Sequence, residues 1–160
     1  MTIRTASIQD LDAITLVESL CFPPAEAADR SSIHCRLSVF PDRFWLPWEG
    51  DTLVSVVSGM LTHSPNLADD MYEEASLHTT DGGWQMIFGV DTIPAFRRQG
   101  YAERVLNHVI EQCKQEKRRG LVLTCKEHLL HYYAKFGFEN EGISSSIHGN
   151  VRWYQMRLTF

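Results

Sequence analysis

Residues 93–114, IPAFRRQGYAERVLNHVIEQCK, constrain this chain more than any other stretch: an apolar strand pattern gives way, through an Arg-Arg-Gln-Gly turn, to a helix with one apolar face. Ala102, Val105, Leu106, Val109, Ile110 and Cys113 recur at the spacings of a buried helix face. A strand that enters a helix through such a turn leaves the first helical N–H groups without helical partners, and those groups attract anions. Gly100 lets a ligand come close to the backbone, Ala102 is small enough not to block it, and Arg97 and Arg98 carry charges that pair with phosphate oxygens. A pyrophosphate fits this pattern. The turn is neither the GxxxxGK[ST] loop of nucleotide triphosphatases nor the GxGxxG of dinucleotide folds, both richer in glycine. On charge alone, a solvated basic turn is an equal alternative.

The whole chain limits what could use such a turn. Its 160 residues predict a single domain over residues 1–160, and 44% hydrophobic with 22% charged residues is an ordinary globular balance. No apolar run approaches the roughly 18 residues a membrane span needs, so a soluble protein is expected. The opening MTIRTASIQD lacks the basic and apolar regions of a secretory signal. Cys21, Cys35, Cys113 and Cys125 form no CxxC, which predicts a reducing, cytoplasmic setting. A net charge of −5 tilts away from nucleic acid and toward small cationic partners.

The chain shows no repeat, low-complexity segment or linker. TIRTAS alternates like a strand, and Ser7 can cap a helix in which Ile8, Leu11, Ile14 and Leu20 recur at helical spacing. FPPAEAADRSSIHCRLSVF predicts a second helix, and the Gly50-Asp51 turn predicts a hairpin. Residues 63–83 read as a long polar excursion, either substrate-covering or plain surface. WQMIFGVDTI and LVLTC read as strands, Gly120 as the end of the helix between them, KEHLLHYYAKF as a helix, and NVRWYQMRLTF as a closing strand.

With these elements in place, the chain resembles the GNAT superfamily of N-acetyltransferases over nearly its whole length. Arg97, Gly100 and Ala102 fit the [QR]xxGx[GA] turn of that family, and HYYAKFGF matches its YxxxGF signature with Tyr133 at the tyrosine position. Within the family, ASLHTTDGG, FRRQGYAERVL and TCKEHLLHYYAKFGF are most similar to the arylalkylamine (serotonin) N-acetyltransferases. The resemblance implies an α/β (α+β) GNAT fold: a mixed central sheet of about six or seven strands flanked by about four helices. It also implies acetyl-CoA as co-substrate, without a metal. The pantetheine arm would lie along the strand at Val90, Asp91 and Thr92, like an added strand. The pyrophosphate would sit on Arg97, Arg98, Gln99, Gly100, Tyr101, Ala102 and Glu103, where the anion argument had already placed one.

The implied reaction is direct transfer of the acetyl group to an amine. An alkylammonium with a lysine-like pKa of about 10.4 must first lose a proton, at a cost of about 4 to 5 kcal/mol at neutral pH. Tyr133 would donate a hydrogen bond to the departing sulfur. Vertebrate serotonin enzymes carry two histidines on the strand where this chain has Met86 and Phe88, neither of which can take a proton. Insect relatives use a glutamate after the first helix, where CFPPAEAAD supplies Glu26; a solvated glutamate favoured by the helix dipole is the alternative. Glu73, Glu74, His78 and Asp91 are weaker candidates. Lys126 stands where many members have an asparagine, so that contact does not carry over.

Phe22, Met86 and Phe88 would line the acceptor pocket, and the aromatic content favours a hydrophobic amine cation. His128 and His131 lie on one helix without a third ligand, and no metal is expected. The expected partner is a small-molecule amine, with neither nucleic acid nor membrane, and a homodimer allowed. Rival readings are a polyamine, antibiotic or protein amino group as acceptor, and a non-catalytic acyl-CoA-binding module.

Overall fold

The structure, a computed structural model, describes residues Met1–Phe160. In chain order its strands and helices are β1 (Thr2–Thr5), α1 (Leu11–Cys21), α2 (Arg30–Val39), β2 (Phe44–Glu49), β3 (Thr52–Leu53), β4 (Ser55–Ser58), β5 (Leu61–Thr62), α3 (Asp69–Glu73), β6 (Trp84–Ile87), β7 (Gly89–Thr92), α4 (Tyr101–Gln115), β8 (Gly120–Cys125), α5 (Leu130–Ala134), β9 (Glu139–Ile143) and β10 (Tyr154–Thr159). The expected mixture of sheet and helix is present, with the strands in two five-stranded sheets. The reason lies in two interrupted runs. Residues 55–62 break between β4 and β5, and residues 84–92 break at Phe88 between β6 and β7, so each run changes sheet half-way. The chain accordingly divides into two compact units, Met1–Gly59 with Gly89–Val109 and Met60–Phe88 with Ile110–Phe160. None of its helices is long and apolar enough to cross a membrane.

Unit 1 holds the antiparallel sheet β1-β2-β4-β7, with β3 hairpinned onto β2. The Gly50-Asp51 hairpin is as expected; Trp48 faces Leu53, and Gly50 takes φ +56°, which glycine adopts without steric cost. Ser7 caps the 3-10 turn that leads into α1, and the Asp10 carboxylate closes the box by accepting the Ser7 N–H at 2.8 Å. The buried face of α1 is Leu11, Ile14 and Val17, while Ile8 and Leu20 are 47% and 49% exposed, correcting the expected apolar stripe. The second helix starts later than expected, at Arg30, because the Asp29 carboxylate accepts the Ser32 N–H at 2.8 Å and fixes the start there. Phe40, Phe44, Trp45 and Leu46 are buried in this unit.

Unit 2 holds the sheet β5-β6-β8-β10-β9, in which β6 and β8 run parallel and the other pairs are antiparallel. Leu121, Val122 and Leu123 are buried, as a strand with two neighbours requires. Gly120 starts β8 rather than ending α4: a Cβ there would collide with the Leu158 carbonyl oxygen of the paired strand. The turn out of α4 instead uses Lys117 at φ +61°. Strand β9 has no apolar alternation and went unforeseen. It is a largely exposed edge strand held by pairing to β10 and by Arg157, whose Nε donates to Glu141 Oε2 at 2.8 Å. The 63–83 stretch is ordered by its own elements: it forms α3 and a 3-10 turn at Ala75–Leu77, with Leu67, Met71 and Ala75 buried. Asp69 anchors it, accepting from the Ser146 hydroxyl at 2.5 Å and the Ile147 N–H at 3.0 Å.

Candidate active site

In unit 1, β7 ends its sheet, paired to β4 on one side only. Its residues alternate in direction. The Ile93 N–H donates to Val54 O at 3.0 Å, and the Asp91 carbonyl accepts from the Ser55 hydroxyl, so Asp91 turns its backbone toward β4. Val90 and Thr92 therefore present their backbone groups at the free edge, the edge an extended ligand arm would join.

The chain leaves β7 through Pro94–Phe96, a single 3-10 turn, into the Arg-Arg-Gln-Gly segment. Arg97 folds back, its Nε donating to Thr92 O at 2.9 Å, so one of the two predicted anion-binding arginines also braces the turn. Arg98 and Gly100 both adopt left-handed backbone conformations, φ +61° and +84°. A Cβ on Gly100 would meet nothing nearer than Arg104 Nε at 4.0 Å, so glycine is needed here for its torsion rather than for space. The first i→i−4 bond of α4 is Arg104 N–H to Gly100 O at 3.1 Å. The amides of Tyr101, Ala102 and Glu103 thus lie ahead of the helical ladder, beside the exposed Arg97 and Arg98. Tyr101 packs edge-on against Phe96 and carries Arg104 over its ring at 5.0 Å. Arg104 adds a third cation that the sequence reading did not single out. Free amides and three guanidinium groups suit a pyrophosphate, and the residues present fit the CoA half of acetyl-CoA.

Glu26 and Phe22 also belong to unit 1. Phe22 follows α1 in extended conformation, its N–H on Glu18 O at 3.1 Å. Glu26 lies in a turn, with its own N–H and that of Ala27 both on Pro23 O at 2.9 Å. It is 8% exposed, so it is no solvated first-turn residue.

Tyr133, Met86 and Phe88 belong to unit 2. Tyr133 is 7% exposed on α5, edge-on to Tyr132 at 5.1 Å and to Phe138 at 6.1 Å. Gly137 ends that segment at φ +101°, its N–H on Ala134 O. This explains why glycine sits between the tyrosine and Phe138 in the YxxxGF pattern. Met86 is completely buried in β6, a core position, whereas Phe88 is half-buried in the break after that strand. Phe88 packs on Tyr72 at 4.7 Å, and Tyr72 stacks on His148 at 5.3 Å. Neither Tyr72 nor His148 was foreseen, since both come from segments without periodicity.

An edge strand that runs into a glycine turn at a helix head, with a YxxxGF stretch further along the chain, is the pattern expected of an acyltransferase. The profile of the acetyltransferase (GNAT) family matches residues 11–138, which include both motifs, and this chain belongs to that family. It is an acyltransferase of the N-acetyltransferase kind. Sequence comparison with curated proteins gives no significant match.

Among solved structures it is similar to the loading GNATL domain of CurA from Lyngbya majuscula, with TM-score 0.85 and 17% identity over 99% of this chain and 96% of that one. The GphF GNAT-like decarboxylase in complex with isobutyryl-CoA gives 0.86 and 18% over 99% of both chains. The ribosomal-protein-S18-alanine N-acetyltransferase from Escherichia coli gives 0.73 and 15% over 99% of this chain and 92% of that one. Identities this low establish the shared GNAT fold alone.

Proposed function

We propose that this chain acts as one cytoplasmic catalytic domain and transfers the acetyl group of acetyl-CoA to the primary amine of a small aromatic or hydrophobic amine. The free edge of β7 running into the basic turn at the head of α4 carries this reading, because it is suited to a pantetheine arm followed by a pyrophosphate. Arylalkylamines are favoured as acceptors by the motif likeness, by the acidic balance of the chain and by half-buried aromatic side chains such as Phe22 and Phe88. Tyr133 donates a hydrogen bond to the departing thiolate, and Glu26 is an acceptor for the proton of the amine.

The test is thiol release from acetyl-CoA with tryptamine, phenylethylamine, spermidine and a peptide amine. Turnover with the first two and not the others is expected; turnover with the peptide alone would move the acceptor to a protein amino group. Acetyl-CoA binding without turnover on any amine would leave a binding module. Tyr133→Phe should lower kcat roughly tenfold or more with cofactor affinity unchanged; an unchanged rate removes Tyr133 from the step.

A further inference from the structure

Neither the cofactor turn nor the leaving-group tyrosine makes use of the aromatic row in unit 2. Six half-buried side chains from separate segments form it: Phe88 after β6, Tyr72 on α3, Thr124 in β8, Lys126 just beyond it, His148 in a 3-10 turn and Trp153 ahead of β10. Phe88 packs on Tyr72, whose ring lies nearly parallel to the His148 imidazole, with 13° between the planes. His148 leans on Trp153 at 6.2 Å, and the Trp153 indole N–H donates to the His148 carbonyl at 2.7 Å. The row ends at Lys126, whose ammonium stands 6.0 Å over the Trp153 ring. Tyr72 is tied to the sheet as well, its hydroxyl 3.4 Å from that of Thr124.

The position of the row suits a ligand. Strands β6 and β8 are the parallel pair of this sheet, with Ile87 opposite Leu123. Phe88, Thr124 and Lys126 therefore lie at the carboxyl ends of two parallel strands, where open α/β sheets take their ligands. Lys126 also caps the 3-10 turn that leads into α5, so the row and Tyr133 are carried by one continuous β8–α5 segment. The charge of the row is selective too. Its fixed charge is the ammonium of Lys126, which has three N–H donors and so can take a ligand carboxylate beside its contacts within the protein. Asp69, the carboxylate bonded next to His148, uses its two oxygens on the Ser146 hydroxyl and the Ile147 N–H. Stacked rings hold an aromatic ring; Lys126 attracts an acid group on it and repels a cation.

We propose that the acceptor is an aromatic amine that also carries a carboxylate, of the amino acid class, with its ring on the Phe88–Tyr72–His148–Trp153 row and its acid group on Lys126. This rests on the N-acetyltransferase reading and narrows its acceptor. The neutral amine nitrogen bonds to the acetyl carbon, the C–S bond breaks, and the proton the nitrogen gives up ends on the coenzyme A thiol. Lys126 selects the amine and takes no part in these bond changes.

Pairs that differ only in the carboxylate test this: L-tryptophan against tryptamine as substrates, and N-acetyl-L-tryptophan against N-acetyltryptamine as products. The products carry no ammonium group, so their calorimetric titration into the coenzyme A-loaded protein reads the acid contact apart from amine basicity and turnover. N-Acetyl-L-tryptophan should bind roughly tenfold more tightly than N-acetyltryptamine, the size expected of one charge-assisted hydrogen bond. Lys126→Met should abolish that ratio, and Lys126→Arg should keep most of it. Tyr72→Leu should weaken both products alike, because it removes ring contact and leaves the charge. In turnover, kcat/KM for tryptophan should exceed that for tryptamine roughly tenfold, mainly through KM, and Lys126→Met should shrink that preference by the same factor.

Equal affinities for the two products, or a ratio that survives Lys126→Met, overturns the proposal even if the enzyme acetylates amines. Product affinities untouched by Tyr72→Leu overturn the ring half of the site, and the proposal with it. No thiol release with any amine or amino acid overturns the N-acetyltransferase reading and the acceptor role together, while the affinity ratio still tells whether Lys126 holds an aromatic acid. Should Lys126→Met not fold, Lys126→Gln removes the same charge and is read in the same way.

Discussion

Two aspartates of unit 1 are nearly equally buried and hold their protons in opposite ways. At the entrance to α1, Asp10 is 7% exposed and receives Arg4 Nη1 and Nη2 at 2.9 and 2.7 Å and the Ser7 N–H at 2.8 Å. The hydrogen bonds from Arg4 hold its carboxylate below the ordinary 3.8, outweighing burial. On β7, no donor reaches Asp91 Oδ1, and burial, and then the nearby Glu18 carboxylate, raise its affinity for a proton against the pull of Arg36. Burial alone therefore does not decide the charge of an acid. The donors around it do, and an acid buried without donors marks a position that stability did not select.

The largest effect should come from the stabilising member. Asp10→Ala removes a capping box and a forked ion pair whose arginine is half exposed, so a loss of about 2 kcal/mol in denaturant unfolding at neutral pH is expected. A folded-state titration below the unfolded one means this stability is present above pH 3.8 and is lost as pH falls through the lowered value; the penalty of Asp10→Ala should vanish in acid. A penalty that persists at low pH would show the contribution to be packing.

Next comes Gly89→Ala, which forces the Asp91 carboxyl aside and should cost about 1 to 2 kcal/mol, seen as a lower melting temperature. In an Asp91→Asn background that cost should persist, since the side-chain shape is the same; its disappearance would tie it to the proton instead. Asp91→Asn itself should have the opposite sign to Asp10→Ala. Because the folded-state titration of Asp91 is raised, the wild type loses stability as pH climbs from 3.8 toward the raised value, and the variant escapes that loss. Equal melting of variant and wild type at every pH would break the contrast. The smallest effect expected is from Gly100→Ala, about 1 kcal/mol from the left-handed torsion alone, with coenzyme A affinity measured by calorimetry falling in parallel.

The same contrast explains what was legible in the sequence. Helix α4 and the turn before it could be read because apolar spacing, two arginines and a glycine coincide within a few residues, and the YxxxGF stretch because its glycine is a helix stop at φ +101°. The capping box at Ser7 and the hairpin at Gly50 were legible for the same local reason. The burial of Asp91 depends on packing of β7 inside unit 1, and nothing local foretells it beyond an acid inside an otherwise apolar strand run. Met86 and Phe88 looked equivalent on an unbroken alternating strand; the break at Phe88 separates them, one in the core and one half-buried. Strand β9 was invisible because an edge strand owes its form to backbone pairing rather than to side-chain pattern.

The interleaving of the two units sets an order of assembly on the ribosome. Every strand of the first sheet has been synthesised by residue 92, and unit 1 has its whole sequence by residue 109. In the second sheet, β8 pairs with β6 and β10, and β10 is the last strand made, so β8 waits for Tyr154–Thr159 to cover its other side. Until then its buried run Leu121–Leu123 has one open edge. Nascent-chain stalling just before and just after residue 154 would therefore bracket the interval in which a chaperone is most needed.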